Sequence, residues 1–139
     1  MIVLDTNILC ELMQLKPAEP VYAWVDAQPE ITLCTTSINK AEIMYGIAIL
    51  PEGGRRSALA MVAEQVFEED FEGRVLPFDD VAADHYADIV VSRRRTGRPI
   101  EAFDAMIAAI ARAAGAQVAT HDVNGFADCG LILINPWNA

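Results

Sequence analysis

The segment Ile2-Val3-Leu4-Asp5-Thr6-Asn7 joins an apolar triplet directly to an aspartate. A run that is this short and apolar on both faces is typical of a strand buried inside a parallel sheet. The polar residues after Asp5 begin a helix that we expect to reach about Leu15, because Pro17 would stop it. The segment therefore predicts a strand–helix unit with Asp5 at the carboxyl end of the strand.

This alternation of short apolar runs and helical segments continues along the chain. We expect four more strands, at residues 31–35, 74–78, 116–120 and 131–134. The remaining helical segments are expected at residues 21–27, 37–50, 57–71, 80–95 and 100–114. Strands separated by helices need crossover connections, so the pattern predicts one α/β domain with a mostly parallel sheet covered on both faces.

The composition excludes several classes of protein. Of 139 residues, 53% are hydrophobic and 22% are charged, which excludes intrinsic disorder. No uncharged apolar run approaches about 18 residues, so we expect no membrane span, and the first residues lack the basic segment of a secretory signal. Cys10, Cys34 and Cys129 are odd in number and far apart, which favours buried, apolar thiols in a reducing, cytoplasmic compartment.

Four carboxylates occupy positions where a charge needs an explanation. Asp5 and Asp122 each follow a predicted strand, at the sheet edge where open α/β folds bind ligands. Glu42 lies one turn into a helix among apolar neighbours, and Asp104 shares a helix face with isoleucine and alanine. Taken singly, each acid also suits an ordinary role as a helix cap, a helix-dipole partner or a turn residue.

Gathered at one sheet edge, the four acids predict a bound cation. Two unit charges roughly 5 Å apart repel by about 1 kcal/mol in water, and by several at an effective dielectric of about 20. Oxygen-only ligation favours Mg²⁺ or Mn²⁺ over zinc. A cation that carboxylates hold in this way is suited to phosphate chemistry.

Four motifs, in this order, resemble those of PIN-domain proteins, and the resemblance covers essentially the whole chain. They are residues 2–9 (IVLDTNIL), 41–47 (AEIMYGI), 103–109 (FDAMIAA) and 119–126 (ATHDVNGF), followed by the ending 133–137 (LINPW). The resemblance is closest to the VapC-type toxins of bacterial toxin–antitoxin pairs, in the branch whose chains end in Asn-Pro-Trp.

The resemblance implies a three-layer α/β/α sandwich around a five-stranded parallel sheet, formed by a single PIN domain over residues 1–139. It also implies a Mg²⁺- or Mn²⁺-dependent endoribonuclease that acts on tRNA or other cellular RNA. We expect a metal-activated water to attack the phosphodiester, leaving 5′-phosphate and 3′-hydroxyl ends. By position, the catalytic and metal-binding acids are Asp5, Glu42, Asp104 and Asp122. Asn7 and Thr120 are auxiliary residues beside them, which orient a water or a carboxylate.

Two other functions stay open at this point. A haloacid-dehalogenase-like phosphatase also opens with a strand that ends in Asp, but it needs a second Asp where Asn7 stands. A non-catalytic PIN-like module that binds a partner would have lost one of the four acids, and none is lost. His121 departs from the family pattern, because many relatives carry Arg there; it suits either a phosphate contact or a hydrogen bond to a carboxylate.

The expected partners are a cognate antitoxin, the RNA substrate and a second copy of the chain. The apolar residues predicted to form a homodimer interface and an antitoxin groove are Tyr22, Trp24, Ile47, Ile49 and Leu50. The net charge of −10 favours an inhibitor that is basic where it binds the chain.

A protein this acidic needs a local basic surface in order to bind RNA, because phosphate neutralisation supplies most of the non-specific affinity. Arginines at 93–95 and 98 supply four of the ten basic residues, close in sequence to Asp104. The RNA-binding candidates are Arg94, Arg95 and Arg98, together with Arg93. Arginine is also favoured at helix C-termini by the helix dipole, and Lys40, Arg55 and Arg56 form the alternative basic surface.

Overall fold

Five parallel strands form the centre of the computed structural model, which describes residues 1–139. In chain order they are β1 (Ile2–Leu4), β2 (Leu33–Thr36), β3 (Val75–Leu76), β4 (Gln117–Ala119) and β5 (Leu133–Ile134). Their order across the sheet is β3-β2-β1-β4-β5, so β1 lies in the middle with Val3 opposite Cys34 and Val118. The predicted parallel α/β sheet is confirmed, and Asp5, Thr36 and Thr120 lie together at its carboxyl edge.

Six helices cover the sheet: α1 (Thr6–Leu12), α2 (Glu19–Asp26), α3 (Ser37–Ala48), α4 (Gly54–Gln65), α5 (Asp80–Arg95) and α6 (Ala102–Ala113). Polar caps fix several helix starts, since Thr36 Oγ1 accepts from Asn39 N at 3.1 Å and Asp79 Oδ1 accepts from Ala82 N at 2.9 Å. Helix α6 ends at Ala113, one residue before the expected end, and Gly115 follows its cap residue Ala114 with a φ of 66°. None of the six has the length and apolar composition that a bilayer crossing requires.

Two apolar cores lie on opposite faces of the sheet, because alternate residues of a strand point in opposite directions. Ile2 and Leu4 pack with buried residues of α1 to α4, including Ile8 and Ile43. Val3 packs on the other face with buried residues of α5 and α6. The observed architecture is therefore three layers, α/β/α, as the resemblance implies.

Several element boundaries differ from the expected ones. Strand β3 ends at Leu76 and not at residue 78, because Pro77 has no N–H to donate to the ladder. Strand β2 begins at Leu33, after a 3₁₀ turn over Glu30–Thr32. The helix expected to start at residue 57 starts at Gly54, and its last turn widens into a π-helical turn over Val66–Asp70.

Candidate functional site

Asp5 is the centre of a hydrogen-bond network at the carboxyl edge of the sheet. Its side chain is only 6% exposed. One oxygen, Oδ1, accepts from Thr6 N at 2.8 Å and from Asn39 Nδ2 at 3.0 Å. The other, Oδ2, accepts from Thr120 Oγ1 at 2.8 Å and from Asn7 Nδ2 at 3.4 Å. The carboxylate is therefore held in one orientation by donors from α1, α3 and the residue after β4.

The hydrogen bonds from these donors lower the pKa of Asp5 by less than its burial raises it. Burial raises the pKa of Asp5, the hydrogen bonds from Thr120, Thr6 and Asn39 lower it, and the charge of Asp122 raises it further. The net pKa lies above the ordinary value. Asp5 is thus a carboxyl group held in a fixed orientation, whose ionised form would be favoured by a positive charge nearby.

Glu42 joins the same network through Thr6. Helix α3 places it so that its Oε1 accepts from Thr6 Oγ1 at 2.8 Å, and Asn39 Nδ2 lies 3.0 Å from the same hydroxyl. Burial raises the pKa of Glu42 most, the Thr6 hydrogen bond lowers it, and the charges of Asp5 and Glu101 raise it further. One amide, that of Asn39, therefore contacts both the Asp5 carboxylate and the hydroxyl that holds Glu42.

Asp104 is the most strongly perturbed acid in the chain. Burial on α6 and then the charges of Asp5, Glu101, Glu42 and Asp122 raise its pKa from 3.8 to about 7. No hydrogen bond lowers this pKa, in contrast to the pKa of Asp5 and that of Glu42. Asp104 is therefore a half-buried carboxyl that faces other carboxylates without a donor of its own.

Asp122 is exposed and is held by its own loop. Its main-chain N–H donates to Thr120 Oγ1 at 3.0 Å, and its Oδ1 accepts from Gly125 N at 3.0 Å. A Cβ atom at residue 125 would lie 2.5 Å from Asp122 Oδ2, so only glycine fits there without displacing the carboxylate. Asp122 serves both as a turn residue and as a charge that raises the pKa of Asp5 and of Asp104.

The four predicted acids and both auxiliary residues thus lie in one neighbourhood. Asn7 and Thr120 contact each other at 3.2 Å as well as contacting Asp5. Two further residues in this neighbourhood were not predicted. Asn39 is completely buried, and its position three residues after the cap Thr36 was the available sequence signal. Glu101, one turn before Asp104, was marked only by its charge.

The donor set is suited to a hard divalent cation. All the acids in the cluster offer oxygen, and each of Asp5, Glu42 and Asp104 has its pKa raised by the charge of at least one other acid. The hydrogen bonds to Glu42 and Asp122 occupy Oε1 and Oδ1, which leaves the second oxygen of each for a ligand. No three acidic, histidine or cysteine side chains are grouped closely enough to form a ready-made metal site.

The arginine cluster divides into buried and exposed members. Arg93 is 5% exposed; its Nε donates to Arg98 O at 2.7 Å, and its Nη1 donates to Gly125 O and Ala127 O at 3.0 Å each. The inclusion of Arg93 in a basic surface was therefore wrong, because its guanidinium holds the loop that carries Asp122. Arg94 and Arg95 are exposed, and Arg98 Nη1 pairs with Asp128 Oδ2 at 3.0 Å.

The predicted apolar surface is also divided. Ile47 is 8% exposed and belongs to the core, so its inclusion was wrong; its helix turns it toward the sheet. Trp24 and Leu50 are half-buried. Tyr22 and Ile49 are 57% and 64% exposed, respectively.

Known proteins resemble this chain over almost its whole length. Residues 2–130 match the sequence model of the PIN domain. The chain is 43% identical over 137 residues to "VapC ribonuclease Y4jK" of Sinorhizobium fredii, covering 99% of this chain and 98% of that protein. It is 36% identical over 138 residues to "Toxin FitB" of Neisseria gonorrhoeae, covering 99% of each. A chain in the structure of FitAB bound to the IR36 DNA fragment superposes with a TM-score of 0.92 at 36% identity, covering 99% of this chain and 96% of that one.

Proposed function

The chain belongs to the PIN-domain family, and from that membership we propose that it is a Mg²⁺- or Mn²⁺-dependent endoribonuclease, the toxin of a bacterial toxin–antitoxin pair that acts in the cytoplasm. The observation that carries the proposal is the gathering of Asp5, Glu42, Asp104 and Asp122 at the carboxyl edge of the sheet. Thr6 and Thr120 link three of these acids by hydrogen bonds, and the fourth, Asp104, lies near enough for their charges to raise its pKa. The names of two relatives, a VapC ribonuclease and a toxin, support the activity and the role.

The acids of this chain have different parts in the proposed reaction. A divalent cation bound among them would supply polarisation of a phosphoryl oxygen and a water of lowered pKa. Asp5 is the rigid ligand, because four donors fix its carboxylate. Burial and the neighbouring carboxylates raise the pKa of Asp104 to about 7, so near neutral pH a divalent cation held by Asp104 would compete with a proton for this carboxylate. Thr6 and Asn39 orient Glu42 and Asp5 for the same task.

Cleavage of RNA by the purified chain tests this proposal. We expect single-turnover cleavage of single-stranded RNA and of a tRNA pool with Mn²⁺ or Mg²⁺, none after chelation, and products with 5′-phosphate and 3′-hydroxyl ends. Asp104→Asn is expected to lose activity while remaining folded. Asp84→Asn, at an exposed position of α5, is the matched control and keeps full activity.

Other results would favour the alternatives. Products that end in a 2′,3′-cyclic phosphate would contradict the proposed hydrolysis, since they require the 2′-hydroxyl as nucleophile. Metal-dependent release of phosphate from small monoesters, with intact RNA, would indicate a phosphohydrolase. If neither RNA nor monoesters are cleaved, the chain is a non-catalytic PIN-like module that binds a partner.

The proposal includes a homodimer and a cognate antitoxin. Tyr22 and Ile49 are large apolar side chains exposed on one chain, and the net charge of −10 favours an antitoxin segment with basic side chains. We expect dimers by sedimentation at tens of micromolar, and weaker association of Ile49→Ser. A sedimentation coefficient that stays monomeric at that concentration would contradict the dimer.

A further inference from the structure

His121 and Trp137 form an aromatic stack beside the acidic cluster. Their ring centroids are 4.4 Å apart and their planes differ by 24°. Trp137 is half-buried against the apolar core on the α1–α4 side, and its main-chain N–H donates to Asn135 Oδ1 at 3.0 Å. His121 is exposed. The tail after β5 therefore places an anchored indole behind an imidazole that faces solvent.

The backbone of His121 belongs to the network that holds Asp5. Its main-chain N–H donates to Asn7 Oδ1 at 3.0 Å. The amide of Asn7 lies 3.4 Å from Asp5 Oδ2 and 3.2 Å from Thr120 Oγ1. His121 also directly precedes Asp122 in the chain. The main chain of His121 is therefore fixed beside Asp5, which follows β1, and Asp122, which follows β4.

The stack leaves one face of the imidazole free, because Trp137 covers the other. A residue that only anchored the tail would be covered, as Pro136 next to Trp137 is, whereas His121 is exposed. The sequence left open a hydrogen bond from the imidazole to a carboxylate. The structure has no such bond, because His121 donates only through its main-chain N–H. An exposed, pre-oriented aromatic face is the feature by which proteins hold unpaired bases.

We propose that the free face of His121, backed by Trp137, binds a nucleobase of the RNA substrate by stacking, next to the phosphodiester that the acidic cluster cleaves. The inference rests on the proposed endoribonuclease function and adds a substrate subsite to it. It also assigns a role to the tail, since the Trp137 ring stacks on the imidazole and holds its orientation. The subsite takes a flat base without reading its edge, so stacking contributes affinity and little sequence preference.

Binding of a fluorescent RNA to catalytically inactive protein tests the subsite. Asp104→Asn serves as the common background, and 2-aminopurine is moved along a short single-stranded RNA so that one position reports stacking by loss of fluorescence. In this background, we expect His121→Ala to weaken binding by about tenfold and to abolish the quenching. His121→Phe keeps a flat ring and is expected to bind within about twofold of the parent. Ile31→Ala, at an exposed apolar residue just before β2 and so at the opposite edge of the sheet, is the control and changes neither signal.

An abasic nucleotide at the quenched position separates stacking from other contacts. The abasic nucleotide should weaken RNA binding by the parent as much as the His121→Ala change does. It should not weaken RNA binding by His121→Ala any further. Equal binding by His121→Ala and the parent would overturn the inference. Binding by His121→Phe that is as weak as that of His121→Ala would also overturn it, because the ring nitrogens would then be the contact.

Failure of the subsite is distinguishable from failure of the proposed function. If the chain with Asp104 intact cleaves RNA in a metal-dependent way and His121→Ala cleaves it with the same KM and kcat, only the subsite is wrong. If the chain neither binds nor cleaves RNA, both are wrong. An elevated KM with little change in kcat for His121→Ala is the expected result, because the stack contacts the substrate away from the reacting phosphate.

Discussion

Asn39 Nδ2 lies 3.0 Å from Asp5 Oδ1, and both side chains are buried. The same amide contacts Thr6 Oγ1 at 3.0 Å, and that hydroxyl donates to Glu42. The first turn of α3 is thereby tied to the end of β1 through a buried polar contact. Two of the four acids depend on one amide for their orientation.

Asn39→Leu tests that dependence. Leucine has a similar volume but no donor, so Asp5 loses one hydrogen bond that lowers its pKa and keeps the burial that raises it. We expect the free energy of unfolding at neutral pH to fall by about 1 to 3 kcal/mol, measured by urea denaturation. RNA cleavage should fall by about tenfold or more, since orienting partners of ligands carry that effect.

Asn138→Leu, at an exposed position of the tail, is the control for the Asn39 variant and should leave both stability and cleavage unchanged. If Asn39→Leu were as active as the parent, the acids would not depend on this amide.

The raised pKa of Asp104 predicts how the stability of the metal-free protein depends on pH. Its folded pKa of about 7 lies above the ordinary 3.8, so the folded chain holds this proton more tightly than the unfolded chain does. The resulting stabilisation is fully present below about pH 4 and is lost as the pH rises through about 7. Asp104→Asn removes this loss, because the amide never ionises.

Thermal and urea denaturation in the presence of a chelator measure this difference. At about pH 8, Asp104→Asn should be more stable than the parent by roughly 1 to 2 kcal/mol, a figure reduced for the solvent screening of a half-exposed group. At about pH 4 the two proteins should be equally stable. A variant that is less stable than the parent at the higher pH would show that the Asp104 carboxylate is not repelled by its neighbours.

Local sequence patterns were sufficient to predict where Asp5 and Asp104 lie in the fold. They were insufficient to predict the contacts that hold the site's loops and helices in position. The buried triplet before Asp5 and the apolar stripe around Asp104 are short-range signals, and they place both acids correctly in the fold. Arg93 was misread because three consecutive arginines at a helix end look like a dipole-driven surface cluster. Its acceptors, Gly125 and Ala127, lie 32 and 34 residues away, and no local pattern reveals such a contact. Ile47 was misassigned because exposure depends on which way its helix packs.

Gly125→Ala tests whether Asp122 needs its present position. The new methyl group would lie 2.5 Å from Asp122 Oδ2, so the carboxylate must move away from the turn. We expect cleavage to fall by about tenfold or more, with little loss of secondary structure by circular dichroism. Gly46→Ala is the matched control, since nothing lies within 4 Å of its Cβ position on α3. That change should preserve activity and stabilise the fold by about 0.5 to 1 kcal/mol.

Arg93→Met tests the clamp on the loop that carries Asp122. Methionine keeps much of the buried chain length but leaves the carbonyl groups of Arg98, Gly125 and Ala127 without their donor. We expect the free energy of unfolding to fall by about 3 kcal/mol and the loop amides to exchange hydrogen faster. Arg94→Met, at the exposed neighbouring position, should change neither. If the two variants were equally stable, the guanidinium would not be holding the loop.

An acidic chain needs exposed basic side chains in order to hold a polyanion. Arg94 and Arg95 are exposed at the end of α5, and Arg98 is exposed as well but pairs with Asp128 at 3.0 Å. If these arginines guide RNA, replacing Arg94, Arg95 and Arg98 by Ala should weaken RNA binding and lower the slope of log affinity against log salt by about 2 to 3, roughly one unit for each phosphate that is no longer neutralised. Metal binding should stay unchanged. The Arg55→Ala, Arg56→Ala double variant is the control, because it removes the same kind of charge from the alternative basic surface. Because Asp128 already neutralises part of Arg98, the Arg94→Ala, Arg95→Ala double variant should account for most of the change in slope.

Normal cleavage by the triple variant at every salt concentration would assign these arginines to the helix terminus alone, and would move the search for the basic surface to Lys40, Arg55 and Arg56.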